Sequence, residues 1–198
     1  MTAEPPRKIV VVGASAGGVE AVTRLVGALP PDFAAAVYVV LHVSPSGSLL
    51  PQILDRAGPL PAGHARDGDL LAYGAVSVAP PDMHLLLDAN GPRLVRSPRE
   101  HGHRPAIDPL FRSAAEHHGP RVVGVVLSGA RDDGAAGLAA IKDADGLTVV
   151  QDPGEAAHPA MPESAIALAR PDHILPVAEI GVLLERVTQS SPEATRAS

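Results

Sequence analysis

Lys8-Ile-Val-Val-Val-Gly-Ala-Ser-Ala-Gly-Gly18 holds two structural signals in a row. Lys8 to Val12 is a continuous apolar, β-branched run, the pattern of a strand buried on both faces, and it stops at Gly13. From Gly17 the period lengthens: Val19, Val22, Val26 and Leu29 recur at steps of three and four until Pro30-Pro31 ends the run, which predicts a helix. The same alternation continues outward. Val37 to Leu41 reads as a second buried strand, His42 to Gly47 as a loop and Ser48 to Ala57 as a short helix. Between 63 and 97 the runs are brief (Ala75 to Val78, Leu85 to Leu87, Arg93 to Val95), with turns at Pro80-Pro81-Asp82 and Asn90-Gly91, which predicts a hairpin. Helix Asp108 to His118, strand Arg121 to Leu127, helix Gly134 to Ala144, strand Leu147 to Val150 and helices Pro162 to Ala169 and Ala178 to Val187 follow. Strands alternating with helices imply a doubly wound, three-layer α/β fold: a mostly parallel sheet, helices on both faces and an antiparallel hairpin insertion. One folded unit is expected over 8–188, with loose ends at 1–7 and 189–198.

Composition removes several function classes. The net charge is −6, and only Phe33, Tyr38, Tyr73 and Phe111 are aromatic, so phosphate-backbone attraction and base stacking are both poorly supplied and no nucleic-acid partner is expected. There is no cysteine, hence no disulfide, thiolate zinc site or thiol nucleophile. The apolar run Ile9 to Val12 is too short for a signal-peptide core or a membrane span, so a cytoplasmic location without membrane insertion is expected.

In a doubly wound sheet, functional groups gather in the loops at the carboxyl ends of the strands. Ser15 follows the first strand, His42 ends the second, and Asp132-Asp133 lie just beyond Leu127-Ser128-Gly129. A Ser/His/Asp set could therefore converge at one edge. Around Ser15, Gly13-Ala-Ser-Ala-Gly-Gly18 permits three readings: a tight turn, a nucleophile exposed beside a helix N-terminus, or a variant phosphate loop. Either Asp132 or Asp133 can cap the following helix while the other orients a histidine. His101-Gly-His103 lacks a third ligand at metal-site spacing and reads as a polar loop, so neither a metal nor a cofactor is expected. His117, His118 and His173 read as surface residues, and Pro80 to His84 as a hairpin turn.

Six colinear segments carry a resemblance: Ile9-Val-Val-Val-Gly-Ala-Ser-Ala-Gly-Gly18, Leu41-His42, Ala79-Pro-Pro-Asp-Met-His84, His103-Arg-Pro-Ala-Ile-Asp-Pro-Leu-Phe111, Gly124-Val-Val-Leu-Ser-Gly129 with Asp133-Gly-Ala-Ala-Gly137, and Met161-Pro162. Together they resemble the catalytic domain of CheB, the chemotaxis protein-glutamate methylesterase, over residues 8–188. The resemblance implies a serine hydrolase that demethylates glutamate methyl esters on the cytoplasmic helices of chemoreceptors, in many members also deamidating glutamines. By position it makes Ser15 the nucleophile, His42 the base and Asp133 its orienting acid, with the backbone amides of Ala16 and Ala130 as the oxyanion hole. Family members commonly have Thr and Met at the last two positions. His103 and Arg104 are candidates for a substrate groove, and Arg93, Arg96, Arg99 and Arg104 for a basic patch facing the acidic methylation region. The family commonly carries an N-terminal receiver domain. With a first strand at Lys8 none is expected here, so the enzyme is either constitutively open or controlled by another polypeptide. The competing readings are an esterase or deamidase acting on another signalling protein, and a non-catalytic nucleotide-binding or scaffold domain.

Overall fold

The computed structural model describes residues 8–42 and 48–189. The expected loop after His42 and the expected loose ends therefore lie outside the described residues, apart from His42, Gln189 and the flanks of the loop. Gln189, read with the tail, is the last residue of a helix.

The first apolar run is β1 (Ile9–Ala14), with all six residues buried. It leads into α1 (Gly18–Gly27), then β2 (Ala36–Leu41), α2 (Leu50–Ala57), β3 (Ala62–His64) and β4 (Val76–Val78). The hairpin β5 (His84–Leu87) and β6 (Pro92–Val95) precedes α3 (Ile107–His118), and then come β7 (Val122–Val126), α4 (Ala135–Asp143), β8 (Leu147–Gln151), α5 (Ala160–Ala169), β9 (His173–Leu175) and α6 (Val177–Gln189). Seven strands make one sheet in the order β3-β4-β2-β1-β7-β8-β9, and every pairing in it is parallel. The antiparallel strand pair is β5 and β6, which pair with each other, and isolated antiparallel bridges join Ala36 to Tyr73 and Glu100 to His103.

The strand period of two distributes β1 between two cores. Val10, Val12 and Ala14 face α1, α2 and α6, whereas Ile9 and Val11 face α3, α4, α5 and the hairpin. Each fully buried valine contributes about 1.5–3 kcal/mol by leaving water, so the central strand is fixed in register chiefly by apolar burial on both sides. In α1 the inward face is Ala21, Val22, Leu25 and Val26, while Val19 in the first turn is exposed.

Two strands went unread in the sequence, β3 and β9. Both are three-residue edge strands with partly exposed side chains, too short to show a period. His118, read as a surface residue, is buried, because its Nε2–H donates to the Asp88 carbonyl of the hairpin at 2.8 Å.

Strand order reverses across β1 and β7. The chain winds to one side of β1 through β2 and β4, and to the other through β7, β8 and β9. The carboxyl ends of β1 and β7 therefore bound the crevice where an open α/β sheet places its ligands.

Candidate active site

Ser15 sits at that crevice. Its N–H donates to the Ser128 carbonyl beyond β7 at 3.0 Å, and its own carbonyl accepts the Gly18 N–H at 2.8 Å, which turns the chain sharply into α1. Gly17 takes φ 71° in this turn, and a Cβ there would lie 2.8 Å from both the Ala157 Cβ and the Ser128 Oγ. Gly129 permits a second close approach: a Cβ on it would lie 2.9 Å from the Ser15 Cβ and 2.5 Å from the Met161 Cε. The buried Ser128 hydroxyl ties the turn down, donating to the Ala16 carbonyl at 2.8 Å and accepting the His158 N–H at 3.0 Å.

His42 extends β2 by one residue, its N–H donating to the Ala14 carbonyl at 3.2 Å, so strand pairing alone brings it beside Ser15. Its Nδ1 lies 3.0 Å from the Ser15 Oγ and its Nε2 lies 2.7 Å from the Asp133 Oδ2. A neutral ring that satisfies both contacts carries its proton on Nε2 for the carboxylate and offers Nδ1 to the hydroxyl. The trypsin-type triad uses the two nitrogens the other way round.

Asp133 is buried, and it also accepts the backbone N–H groups of Ile107 at 2.8 Å and Asp108 at 3.0 Å. Burial pushes its pKa up, but the His42 hydrogen bond and these two amides outweigh that and hold the carboxyl below its ordinary value. Asp132, in contrast, is mostly exposed and points to His101 Nδ1 at 3.4 Å. The two adjacent aspartates, indistinguishable by local sequence rules, are thus separated by tertiary contacts.

The amides of Ala16 and Ala130 have no acceptor among the described residues. Ala16 directly follows Ser15, and Ala130 follows Gly129, whose backbone packs against the Ser15 side chain.

The two histidines of His101-Gly-His103 diverge. His101 Nε2 donates to Asp108 Oδ2 at 2.9 Å, whereas the His103 ring stacks on His42 with centroids 3.6 Å apart. His101, Asp108 and Asp133 bring three metal-ligand atoms within 4.8 Å of one another, but each is already engaged in the hydrogen bonds just described. Arg104, read with His103 as a groove residue, donates from Nε and Nη2 to Asp82 Oδ1 at 3.0 and 2.7 Å. The expected four-arginine patch is smaller than its sequence spacing suggests. Arg93 pairs with Asp67 and Asp88, while Arg96, Arg99 and Arg104 converge on the single carboxylate of Asp82.

Three contributors were missed in the sequence. Asp108 reads only as a helix-start residue, Ser128 only as part of a glycine-rich turn, and His84 only as the end of a hairpin turn. His84 is fully buried, donating from Nε2 to the Pro98 carbonyl and accepting the Ala106 N–H on Nδ1, so it pins both ends of the loop that carries His101 and His103. No local pattern signals such long-range bonds.

Comparison with known proteins agrees with this architecture. The chain matches the CheB methylesterase family over residues 10–184. It is 40% identical over 183 residues to the protein-glutamate methylesterase/protein-glutamine glutaminase 2 of Anaeromyxobacter dehalogenans, covering 92% of this chain and 54% of that protein. It is 37% identical over 183 residues to the similarly named protein of Symbiobacterium thermophilum, covering 91% and 51%. The chain thus spans about half the length of these curated relatives. The crystal structure of the Thermotoga maritima CheB methylesterase catalytic domain superimposes with a TM-score of 0.88 at 32% identity, covering 91% of this chain and 98% of that one. Parallel sheet, hairpin insertion and colinear motifs all coincide in one family, and the chain belongs to it: it is a member of the CheB methylesterase family.

Proposed function

We propose that this chain is a serine hydrolase that cleaves glutamate methyl esters on the cytoplasmic helices of chemoreceptors, and deamidates glutamines by the same route. The observation that carries the reading is the unbroken chain Ser15 Oγ, His42 Nδ1, His42 Nε2, Asp133 Oδ2, with contacts of 3.0 and 2.7 Å. The names of the relatives, which pair methylesterase with glutaminase, support the same substrate class.

The contacts of 3.0 and 2.7 Å support a two-step acyl-enzyme route. Ser15 Oγ attacks the ester carbonyl carbon while its proton passes to His42 Nδ1. The imidazolium so formed is stabilised by the Asp133 carboxylate, which its low pKa keeps ionised. The developing oxyanion is held by the Ala16 and Ala130 amides. Collapse expels methoxide, which takes the proton from His42 Nδ1 and leaves as methanol. Water, deprotonated by His42, then attacks the acyl-enzyme, and glutamate and free Ser15 are released. With a glutamine side chain, ammonia leaves in place of methanol.

No helix among the described residues is long and apolar enough to cross a membrane, and the proposed substrate lies on receptor segments in the cytoplasm. The deciding experiment is methanol release from methyl-labelled chemoreceptor. Wild type is expected to release it, and Ser15→Ala to lower kcat by on the order of 10⁴-fold or more while keeping the fold. Near wild-type turnover in that variant ends the assignment of Ser15. Fluorophosphonate labelling at Ser15 separates the hydrolase from a non-catalytic scaffold.

A further inference from the structure

His42 is held by two side-chain hydrogen bonds, one at each ring nitrogen. Two such contacts fix where the ring lies but leave it free to rock about the line joining them. Rocking misaligns both bonds, and hydrogen bonds weaken steeply with misalignment. His103 blocks this motion on one side: its ring lies 3.6 Å from that of His42, with planes only 7° from parallel.

The loop around His103 is built to hold that ring. Glu100 and His103 exchange both backbone hydrogen bonds, at 3.1 and 2.8 Å, across a turn whose central residues, His101 and Gly102, have φ 52° and 81°. Two left-handed residues in sequence are the mark of a tight hairpin turn. Arg112 on α3 grips both carboxylate oxygens of Glu100 at 2.9 and 2.8 Å. Arg104 Nη1 donates to the Ser97 carbonyl at 2.8 Å, and His84 fastens Pro98 and Ala106. The stack is therefore anchored through α3, the hairpin and the Asp82 turn.

Charge decides which form of His103 suits the site. The groups facing it are His42, Asp133, Arg131 and His101. Burial, then the nearness of His42, holds its pKa below the ordinary value; Arg131 and His101 act in the same sense, and Asp133 opposes them. A neutral aromatic face attracts a cation, whereas a protonated one repels it.

We propose that His103 is a positioning residue for the general base: its uncharged ring, lying flat on His42, keeps that imidazole in the plane joining Ser15 to Asp133 and favours the imidazolium formed there. The proposal rests on the hydrolase reading above and goes beyond it in giving His103 a role in kcat, not in substrate contact.

The test compares His103→Ala, His103→Phe and His103→Arg in the methanol-release assay, with kcat and KM determined separately. Ala removes the face and should lower kcat about ten-fold or more with KM changed less than about two-fold, because the loss is in the transition state. Phe restores a neutral face and should recover kcat to within about three-fold of wild type. Arg is flat but charged and should be no better than Ala. A rise in KM at unchanged kcat, or Phe behaving like Ala, overturns the proposal. The contact is also read without turnover, by NMR titration of His103 in the full chain and in its His42→Phe form. Its midpoint should rise when the neighbouring imidazole is replaced, and an unmoved midpoint overturns the stack. A wild-type chain that releases no methanol counts against the hydrolase reading; the titration then decides the His103 claim by the same two outcomes.

Discussion

Asp133 and Asp108 cap each other's helices. Asp133, which immediately precedes the N-cap residue of α4, accepts the first two N–H groups of α3, while Asp108, in the first turn of α3, accepts the N–H groups of Gly134 at 3.1 Å and Gly137 at 2.6 Å at the start of α4. Neither helix has a side-chain cap from its own N-cap residue. The exchange satisfies amide donors that would otherwise be orphaned in a buried place, and it places both carboxylates at the positive ends of helix dipoles. It also fixes the Asp133 carboxylate where His42 meets it.

Asp133→Asn tests the charge separately from the cap. An amide side chain still offers one oxygen to the α3 amides but cannot hold the imidazolium or enforce the proton on His42 Nε2. We expect the fold to persist and kcat to fall on the order of 10³–10⁴-fold, as for the equivalent change in a trypsin-type triad. Methanol release and circular dichroism on one preparation check it; a loss under ten-fold would contradict the assignment.

His101 joins the two capping carboxylates to solvent, and stability should depend on pH through it. Burial alone would lower its pKa, but the charges of Asp133 and Asp108, the hydrogen bond to Asp108 and the charge of Asp132 outweigh this and raise it above 6.5. A raised folded-state pKa contributes stability that is fully present below the unfolded value and is lost as pH rises through the folded one. Asp108, raised by burial and by the charge of Asp133, acts in the same direction at lower pH, whereas Asp133, lowered, loses its contribution as pH falls. His103 and His118, whose pKa values are lowered, act in the opposite sense below 6.5, so the effect of His101 is read as a difference: as pH rises above 6.5, the urea midpoint of wild type should fall relative to that of His101→Asn, a replacement that tolerates the left-handed backbone at this position. Equal slopes in the two proteins would remove His101 from the account.

Gly129→Ala should injure turnover more than stability. The added methyl group would meet Met161, whose flexible end can shift, and the Ser15 Cβ, which the turn holds rigidly. Displacing the nucleophile by about 1 Å costs on the order of 10² in rate. The same substitution with Met161→Ala should not recover kcat, since the obstruction at Ser15 remains; full recovery would place the obstruction at Met161 alone.

Ser128→Ala removes one hydroxyl and leaves two backbone groups, the Ala16 carbonyl and the His158 N–H, without that partner. Both bonds are part-buried, so the loss expected in unfolding free energy is that of ordinary hydrogen bonds, about 0.5–1.5 kcal/mol. Denaturant unfolding measures it, and a change below about 0.5 kcal/mol would mean that water replaces the hydroxyl.

The sequence by itself determined the alternation of strands and helices, the parallel sheet with its separate hairpin, and the edge at which Ser15, His42 and an aspartate emerge. These are legible because buried strands such as Ile9–Ala14 and Ala36–Leu41 carry their apolar period locally, and parallel winding sends their carboxyl ends to one side. Local rules leave Asp132 and Asp133 equivalent, and it is the family resemblance that favours Asp133; only the tertiary structure decided that His101 and His103 turn to different partners, that His84 and His118 are buried, and that β3 and β9 complete the sheet. Those outcomes depend on hydrogen bonds and ring contacts between elements distant in the chain, where no local period or composition specifies which donor will face which acceptor.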